Sequence, residues 1–343
     1  MSATCANCSS IGTWKCPCKA VYYCSGPCQL KHWEATHKFT CVFSAATQLL
    51  NILHTDRSNL LAFLRKHGTW LRLKQIIQEI ERRYPDNIRV WYRLMAHSET
   101  CPNRIFELPT DELCITLIRM FSHLKVQGVI DVGAGSGLLT ARLKQLGFSG
   151  RLRAIDSGSW EAIHPVFDKV EKLRIAQLKR DSDDMSLIFS WMHKDMEPEM
   201  KEMIKKLSPK RMWFIGDPMG PGGSCGSVDF HKWLLAAARG YQCVTINALQ
   251  IGHTDYYSNN PYQQKTEDKV TSSNIAFYTM VGTEQKMTEE YWEKVIGKRH
   301  LADRVIHWHD DIAMCLYDTA TMKMSKEFEF TRDNSSKTRK LKK

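Results

Sequence analysis

No run of about eighteen apolar residues occurs anywhere in this 343-residue chain, which excludes a membrane-spanning helix. The opening residues Met1 to Cys5 carry no apolar signal stretch. The thiols are therefore expected to meet a reducing cytosol or nucleus, where disulfides are rare. No internal repeat is present, so stacked-repeat architectures fall away. The body of the chain also has little charge excess. Of the net +11, five positive charges (Lys337, Arg339, Lys340, Lys342, Lys343) sit in the last seven residues. Lys15, Lys19, Lys31 and Lys38 against Glu34 add about three more near the start. The basic end reads as a solvated tail, with a nuclear address or a nucleic-acid contact as the alternative.

Cysteine is not scarce, and it is unevenly placed. Cys5, Cys8, Cys16, Cys18, Cys24, Cys28, His37 and Cys41 crowd into the first 41 residues. Eight soft ligands suffice for two tetrahedral zinc sites of four ligands each. A segment this short buries too little apolar surface to offset its own chain entropy. Structural zinc contributes on the order of 10 kcal/mol or more per site at neutral pH, which closes that gap. Disulfides are the rival reading, and the paired spacing together with the reducing compartment favours metal. His32 is a rival ligand to His37, which is preferred because it opens the His-Lys-Phe-Thr-Cys ending. Cys101, Cys114, Cys225, Cys243 and Cys315 lack ligand spacing and read as buried or neutral thiols.

The string Tyr23-Cys24-Ser25, Cys28-Gln29, His32-Trp33, His37 and Cys41 resembles the MYND zinc finger over residues 5–41. The resemblance implies interleaved ligand sets, Cys5, Cys8, Cys24 and Cys28 for one zinc and Cys16, Cys18, His37 and Cys41 for the other. Cys16 and Cys18 stand one residue closer than the usual pair, and three residues rather than two separate Trp33 from His37. Such fingers typically bind short proline-containing peptides of partner proteins, so a protein partner is implied; a structural lid on the rest of the chain is the alternative. With every ligand supplied by protein, no open position remains for a catalytic water.

The second informative stretch is Gly128-Val-Ile-Asp131-Val-Gly133-Ala134-Gly135-Ser-Gly137, which leads into Leu138, Leu139, Leu143 and Leu146. An apolar run, a glycine-rich turn and a helical pattern follow one another. Glycines allow positive φ and close approach of backbone to a ligand, and the helix presents free N–H groups at its start. The strand 151–156 then ends in Asp156, a carboxylate suited to two ribose hydroxyls. Dinucleotide enzymes also use such a turn. The string Asp-Val-Gly-Ala-Gly-Ser-Gly, with Asp131 inside the strand, resembles the first motif of class I S-adenosylmethionine-dependent methyltransferases. That resemblance implies that Asp131 faces the amino-acid end of the cofactor, that Gly133, Ala134, Gly135 and Gly137 lie under it, and that Asp156 holds its ribose.

The remaining pattern predicts an α/β fold: a finger with little regular structure, a helical segment, then a doubly wound, mostly parallel, seven-stranded sheet. Strands are expected at 185–191, 211–216, 241–249 and 273–280, the last two being the antiparallel pair of the family it resembles. Helices are expected at 48–64, 71–84, 111–124, 197–207 and 228–238. The domain bounds read as 1–42, 43–125, 126–325 and a basic tail at 326–343. Amino-group methyltransferases often carry a polar residue, two prolines and an aromatic ring at the position where the strand ending at Trp191 stops. Ser190-Trp191-Met192-His193 resembles a variant of that motif without the prolines or the final aromatic. Ser190 is expected beside the cofactor. Trp191 is expected to stack on substrate or adenine, and His193 to accept a proton; the alternative is a core tryptophan and a surface histidine. Asp217 and the 222–226 loop are weaker candidates for the same cleft, as is the aromatic loop of Tyr256, Tyr257 and Tyr262. His300, His307 and His309 with Asp310 and Asp311 read as an exposed polar helix or loop in preference to a metal site.

Two functions follow. One is an S-adenosylmethionine-dependent methyltransferase, cytoplasmic or nuclear, acting on nitrogen or oxygen of a protein or nucleic acid, with the finger recruiting a protein. The other is a non-catalytic adaptor whose sheet binds the cofactor only, or nothing. A SET-type methyltransferase is set aside, because that fold lacks the strand, glycine turn and helix seen here.

Overall fold

The structure is a computed structural model that describes residues 3–84, 105, 107–158, 167–180, 184–192, 194–216, 225–236, 240–247, 251–252, 274–280 and 306–309. The chain divides into two compact units, Met1–Ile105 and Phe106–Lys343.

The first unit begins with a short antiparallel hairpin, β1 (Trp14–Lys15) against β2 (Tyr22–Tyr23). A helix Gly26–His32 follows, with Ser25 Oγ accepting from Cys28 N at 3.4 Å and a proline in its first turn. A π-type turn Trp33–His37 and a single turn Lys38–Thr40 lead to Cys41 and the helix Val42–His54. The helix expected at 48–64 is in fact interrupted. Asp56 takes the Ser58 N–H at 2.9 Å and the Ser58 hydroxyl at 2.6 Å, which starts a 3-10 turn Arg57–Asn59 before the helix Leu60–His67. A short side chain that satisfies a nearby backbone donor competes with helix propagation, and apolar spacing does not reveal that competition. The helix Trp70–Arg83 buries Leu73, Ile76, Ile77 and Ile80, while Val42–His54 buries Leu49, Leu50, Ile52 and Leu53. Arg83 ties these two helices, donating to the Phe43 carbonyl with its guanidinium 3.7 Å from the Phe43 ring centre.

The second unit is built on one sheet. Its strands are β4 (Gly128–Val132), β5 (Arg151–Asp156), β6 (Val170–Lys172), β7 (Ser186–Ser190), β8 (Arg211–Gly216), β9 (Tyr241–Asn247), β11 (Asn274–Met280) and β12 (Ile306–His309). Their order is β12-β9-β11-β8-β7-β4-β5-β6, with β11 antiparallel to both β8 and β9. The pairs β4–β5, β5–β6, β4–β7 and β7–β8 are parallel. Strands wind outward from β4 in both directions, so the topological switch point lies at its carboxyl end, where ligands of such sheets bind. Strand β8 is buried along its whole length and β7 at all but its last residue, as expected with both faces covered. The six strands located from the sequence are present in doubly wound order, and β6 supplies the seventh that such a sheet requires.

β12 is an eighth strand, in a segment expected to be helix or loop. Pairing with the edge of β9 outweighs its polar composition. Helices Asp111–His123, Leu138–Gln145, Glu197–Leu207 and Val228–Leu235 pack this unit. Thr110 Oγ1 caps the first of them, accepting from Leu113 N at 3.1 Å. A short ladder, β3 (Glu107–Leu108) against β10 (Ile251–Gly252), lies outside the main sheet. Among the described residues no helix is long and apolar enough to cross a membrane.

Candidate metal centres and cofactor cradle

Two ligand clusters form within the first unit. The Sγ atoms of Cys5, Cys8, Cys24 and Cys28 lie within 4.8 Å of one another, and so do the ligand atoms of Cys16, Cys18, His37 and Cys41. Zn–S bonds of about 2.3 Å at tetrahedral angles put sulfurs about 3.8 Å apart. Cys8 and Cys24 are 3.5 Å apart, Cys8 and Cys28 3.6 Å, and Cys16 and Cys41 4.0 Å. His37 Nε2 lies 3.1 Å from Cys16 Sγ and 3.3 Å from Cys18 Sγ. The donor chemistry and the spacing both fit zinc, and each set is complete without water, so the sites are structural. His32 is not in either set. Its Nδ1 is 3.0 Å from the Tyr23 hydroxyl, and its ring stacks on His37 at 5.6 Å. Burial holds His37 below the ordinary histidine value and pushes the Cys16 thiol up to about 12. A divalent cation reverses the second effect, because it stabilises the thiolate directly.

In the second unit the glycine turn is anchored from below. The N–H groups of Gly133 and Ala134 donate to the Ile155 carbonyl at 2.9 and 3.0 Å, and Gly137 N donates to Ala134 O at 2.9 Å. Gly137 precedes the helix at φ 73°, and a Cβ there would meet Val170 at 3.0 Å, so only glycine fits without strain. A Cβ at Gly133 would meet Met192 Sδ, whereas among the described residues nothing lies within 4 Å of one at Gly135.

Asp131 is 2% exposed. Its Oδ2 accepts from Thr140 Oγ1 at 2.9 Å, and its Oδ1 has no partner among the described residues. Burial pushes its carboxyl up to about 7, with the Asp156 charge adding to the rise. Asp156, at the end of β5, accepts from Gly135 N on Oδ2 at 3.0 Å and from Gly158 N on Oδ1 at 2.9 Å. It therefore fixes the turn as well as facing it, and each oxygen retains a further lone pair. An orphaned buried carboxylate oxygen, an open glycine surface and a second carboxylate fit the ammonium and ribose of S-adenosylmethionine.

Ser190 ends β7 half-buried. Trp191 follows in the left-handed region at φ 55°, donating its backbone N–H to Ile215 O at 2.9 Å. Its indole Nε1 donates to Glu107 Oε2 at 2.6 Å. Glu107 is buried, and desolvation pushes its carboxyl up to about 8. Cys225 staples this strand end to the next. Its N–H donates to Met192 O at 2.7 Å, its thiol donates to Ile215 O at 2.7 Å, and it accepts from Met192 N at 3.3 Å. His193, Asp217, Gly222, Gly223, Tyr256, Tyr257, Tyr262, His300, Asp310 and Asp311 lie outside the described residues.

Residues 5–41 match the family model described as the MYND finger. The metal-binding module is a MYND zinc finger. Two uncharacterised proteins of Acanthamoeba polyphaga mimivirus are similar to this chain, one 30% identical over 46% of it and the other 29% over 48%. Those alignments cover 28% and 36% of the viral proteins, so the chain spans about a third of the length of the relatives it matches. Among solved structures, a magnesium protoporphyrin IX methyltransferase of Synechocystis with bound SAM is 13% identical, covering 48% of this chain and 76% of that one at TM-score 0.30. The 1,6-didemethyltoxoflavin-N1-methyltransferase of Burkholderia thailandensis is 15% identical, covering 50% of this chain and 79% of that one at TM-score 0.30. Likeness at that level decides nothing about ligand or chemistry; the strand order carries the methyltransferase-like fold.

Beyond the MYND finger, sequence reasoning missed Glu107. A lone acidic residue 84 positions before Trp191 gives no local signal, and only the fold brings the two together. It also missed β6, whose Val-Glu-Lys stretch has no apolar run.

Proposed function

We propose that this chain is an S-adenosylmethionine-dependent methyltransferase that uses its MYND finger to recruit a protein. The observation that carries the reading is the unpartnered Asp131 Oδ1, buried at the switch point beside the glycine turn, with Asp156 across from it. The cofactor supplies a methyl group on a positively charged sulfur, open to in-line displacement by nitrogen or oxygen. The protein's share is placement: Asp131 for the ammonium, Asp156 for the ribose hydroxyls, the glycines for close approach, and Ser190 and Trp191 at the edge of the transfer site. His193 is the proposed proton acceptor. MYND fingers are protein-interaction modules, and on this one Ile11, Trp14 and Leu30 are exposed at 68%, 58% and 57%. They offer apolar contacts for a proline-containing peptide. The acceptor is a protein or a nucleic acid, the latter reached through the basic tail.

A second reading, a non-catalytic adaptor, is favoured by two contacts. Trp191 is already bonded to Glu107, and Met192 sits against Gly133. The deciding experiment incubates the full chain with methyl-labelled cofactor and cell lysate, then separates protein, RNA and DNA. Label in one fraction supports the enzyme and identifies the acceptor class. No label in any fraction supports the adaptor.

A further inference from the structure

Two carboxyl groups are buried near the carboxyl ends of the parallel strands, and among the described residues neither meets a basic side chain. Asp131 bonds only to the Thr140 hydroxyl, and Glu107 only to the Trp191 indole. Buried acids are ordinarily paired, because an uncompensated charge in a low-dielectric interior is costly. Burial lifts both groups, Asp131 to about 7 and Glu107 to about 8, as expected where no cation offsets the desolvation. Both are placed to gain from an incoming positive charge.

The two acids are linked through the end of β7. Trp191 holds Glu107 by its indole, and the next residue, Met192, packs on Gly133, two residues beyond Asp131. The Trp191 backbone is bonded to Ile215, and its ring is held at Nε1 by Glu107 and lies against Gly216, where an added Cβ would come within 3.3 Å of it. An indole face is the best aromatic surface for a cation. Hydrogen bonding of its N–H to a carboxylate makes that face more electron-rich.

We propose that Glu107 and Trp191 form a cation-recognising corner that reads the sulfonium of the methyl donor, so that the site distinguishes charged donor from neutral product. This rests on the methyltransferase reading above. In S-adenosylmethionine three carbons separate the ammonium nitrogen from the sulfur. A donor whose ammonium sits on Asp131 thus has its sulfonium within a short reach of the strand end that carries Trp191. S-adenosylhomocysteine keeps the ammonium and has an uncharged sulfur. Asp131 holds donor and product alike, whereas Glu107 and Trp191 hold only the donor. Loss of the methyl removes the charge the corner recognises and favours product release.

The test is calorimetric titration of the full chain with S-adenosylmethionine, S-adenosylhomocysteine and sinefungin, an analogue with an amine-bearing carbon in place of the sulfonium. The wild type is expected to favour both cationic ligands over S-adenosylhomocysteine by about thirtyfold, the scale of a desolvated cation–π contact. Glu107→Gln keeps an acceptor for the indole and removes the carboxyl that an incoming cation would ionise. It should bring that ratio toward one with S-adenosylhomocysteine affinity unchanged. Trp191→Leu should do the same and supplies the answer if Glu107→Gln does not fold. Asp131→Asn should weaken all three ligands together. A ratio unmoved in the Glu107 and Trp191 variants, or an equal loss for donor and product, overturns the corner and leaves the methyltransferase reading standing. Binding of none of the three by the wild type overturns both.

Discussion

Asp131 combines a structural cost with a proposed role. Its folded value of about 7 lies above the ordinary aspartate range, so the folded chain keeps its proton to higher pH than the unfolded chain does. Between about pH 4 and pH 7 the unfolded state releases that proton first, so stability falls as pH rises, and the whole penalty stands above pH 7. The groups acting on it are Thr140, which favours the ionised form, and Asp156, which opposes it. Asp131→Asn keeps an acceptor for Thr140 and removes the charge. Without ligand, it should melt several degrees above the wild type near pH 8 and gain about half as much near pH 5.5. Equal gains at the two pH values would mean that the carboxyl is not held neutral by its burial. The sequence discloses Asp131, because a carboxylate inside an apolar strand just before glycines is itself an anomaly. It does not disclose the Asp131–Thr140 bond or the role of Asp156 in fixing the turn, since both depend on where the helix and the next strand come to rest.

At the scale of elements, legibility followed the nature of the signal. Helix Glu197–Leu207 and strand β8 fall where apolar spacing put them, because each is bounded by breakers and buries the face that its period defines. The helix predicted over 48–64 breaks at Asp56, where a local side-chain bond overrides periodicity. Strand β12 arises from pairing with a neighbour that the chain meets only after folding. The zinc ligands were legible one by one. Their interleaving became legible only by resemblance, since the hairpin that brings Cys5 and Cys8 to Cys24 and Cys28 leaves no trace in spacing. Because each cluster is closed, metal analysis should return two zincs per chain. Cys24→Ser should lose one zinc and lower the melting temperature of the finger, and a single zinc in the wild type would show that the second ligand set is wrongly drawn.

On the scale of the whole molecule, the chain joins two compact units with different sources of stability. The first depends on metal for its finger and, among the described residues, on three helices beyond it. The second depends on a sheet covered on both faces. The ligand-binding end of that sheet is defined by topology: strands leave β4 in both directions, and Asp131, the glycine turn, Asp156 and Trp191 gather there from separate segments. Everything proposed about activity reduces to whether that end holds the methyl donor. The direct measurement is equilibrium binding of S-adenosylmethionine to the full chain and to Asp156→Ala. Wild-type binding should be saturable and one to one, and the variant should bind at least tenfold more weakly, the loss expected for hydrogen bonds to a charged group. Equal affinity in the two proteins, or no binding to the wild type, would contradict the account.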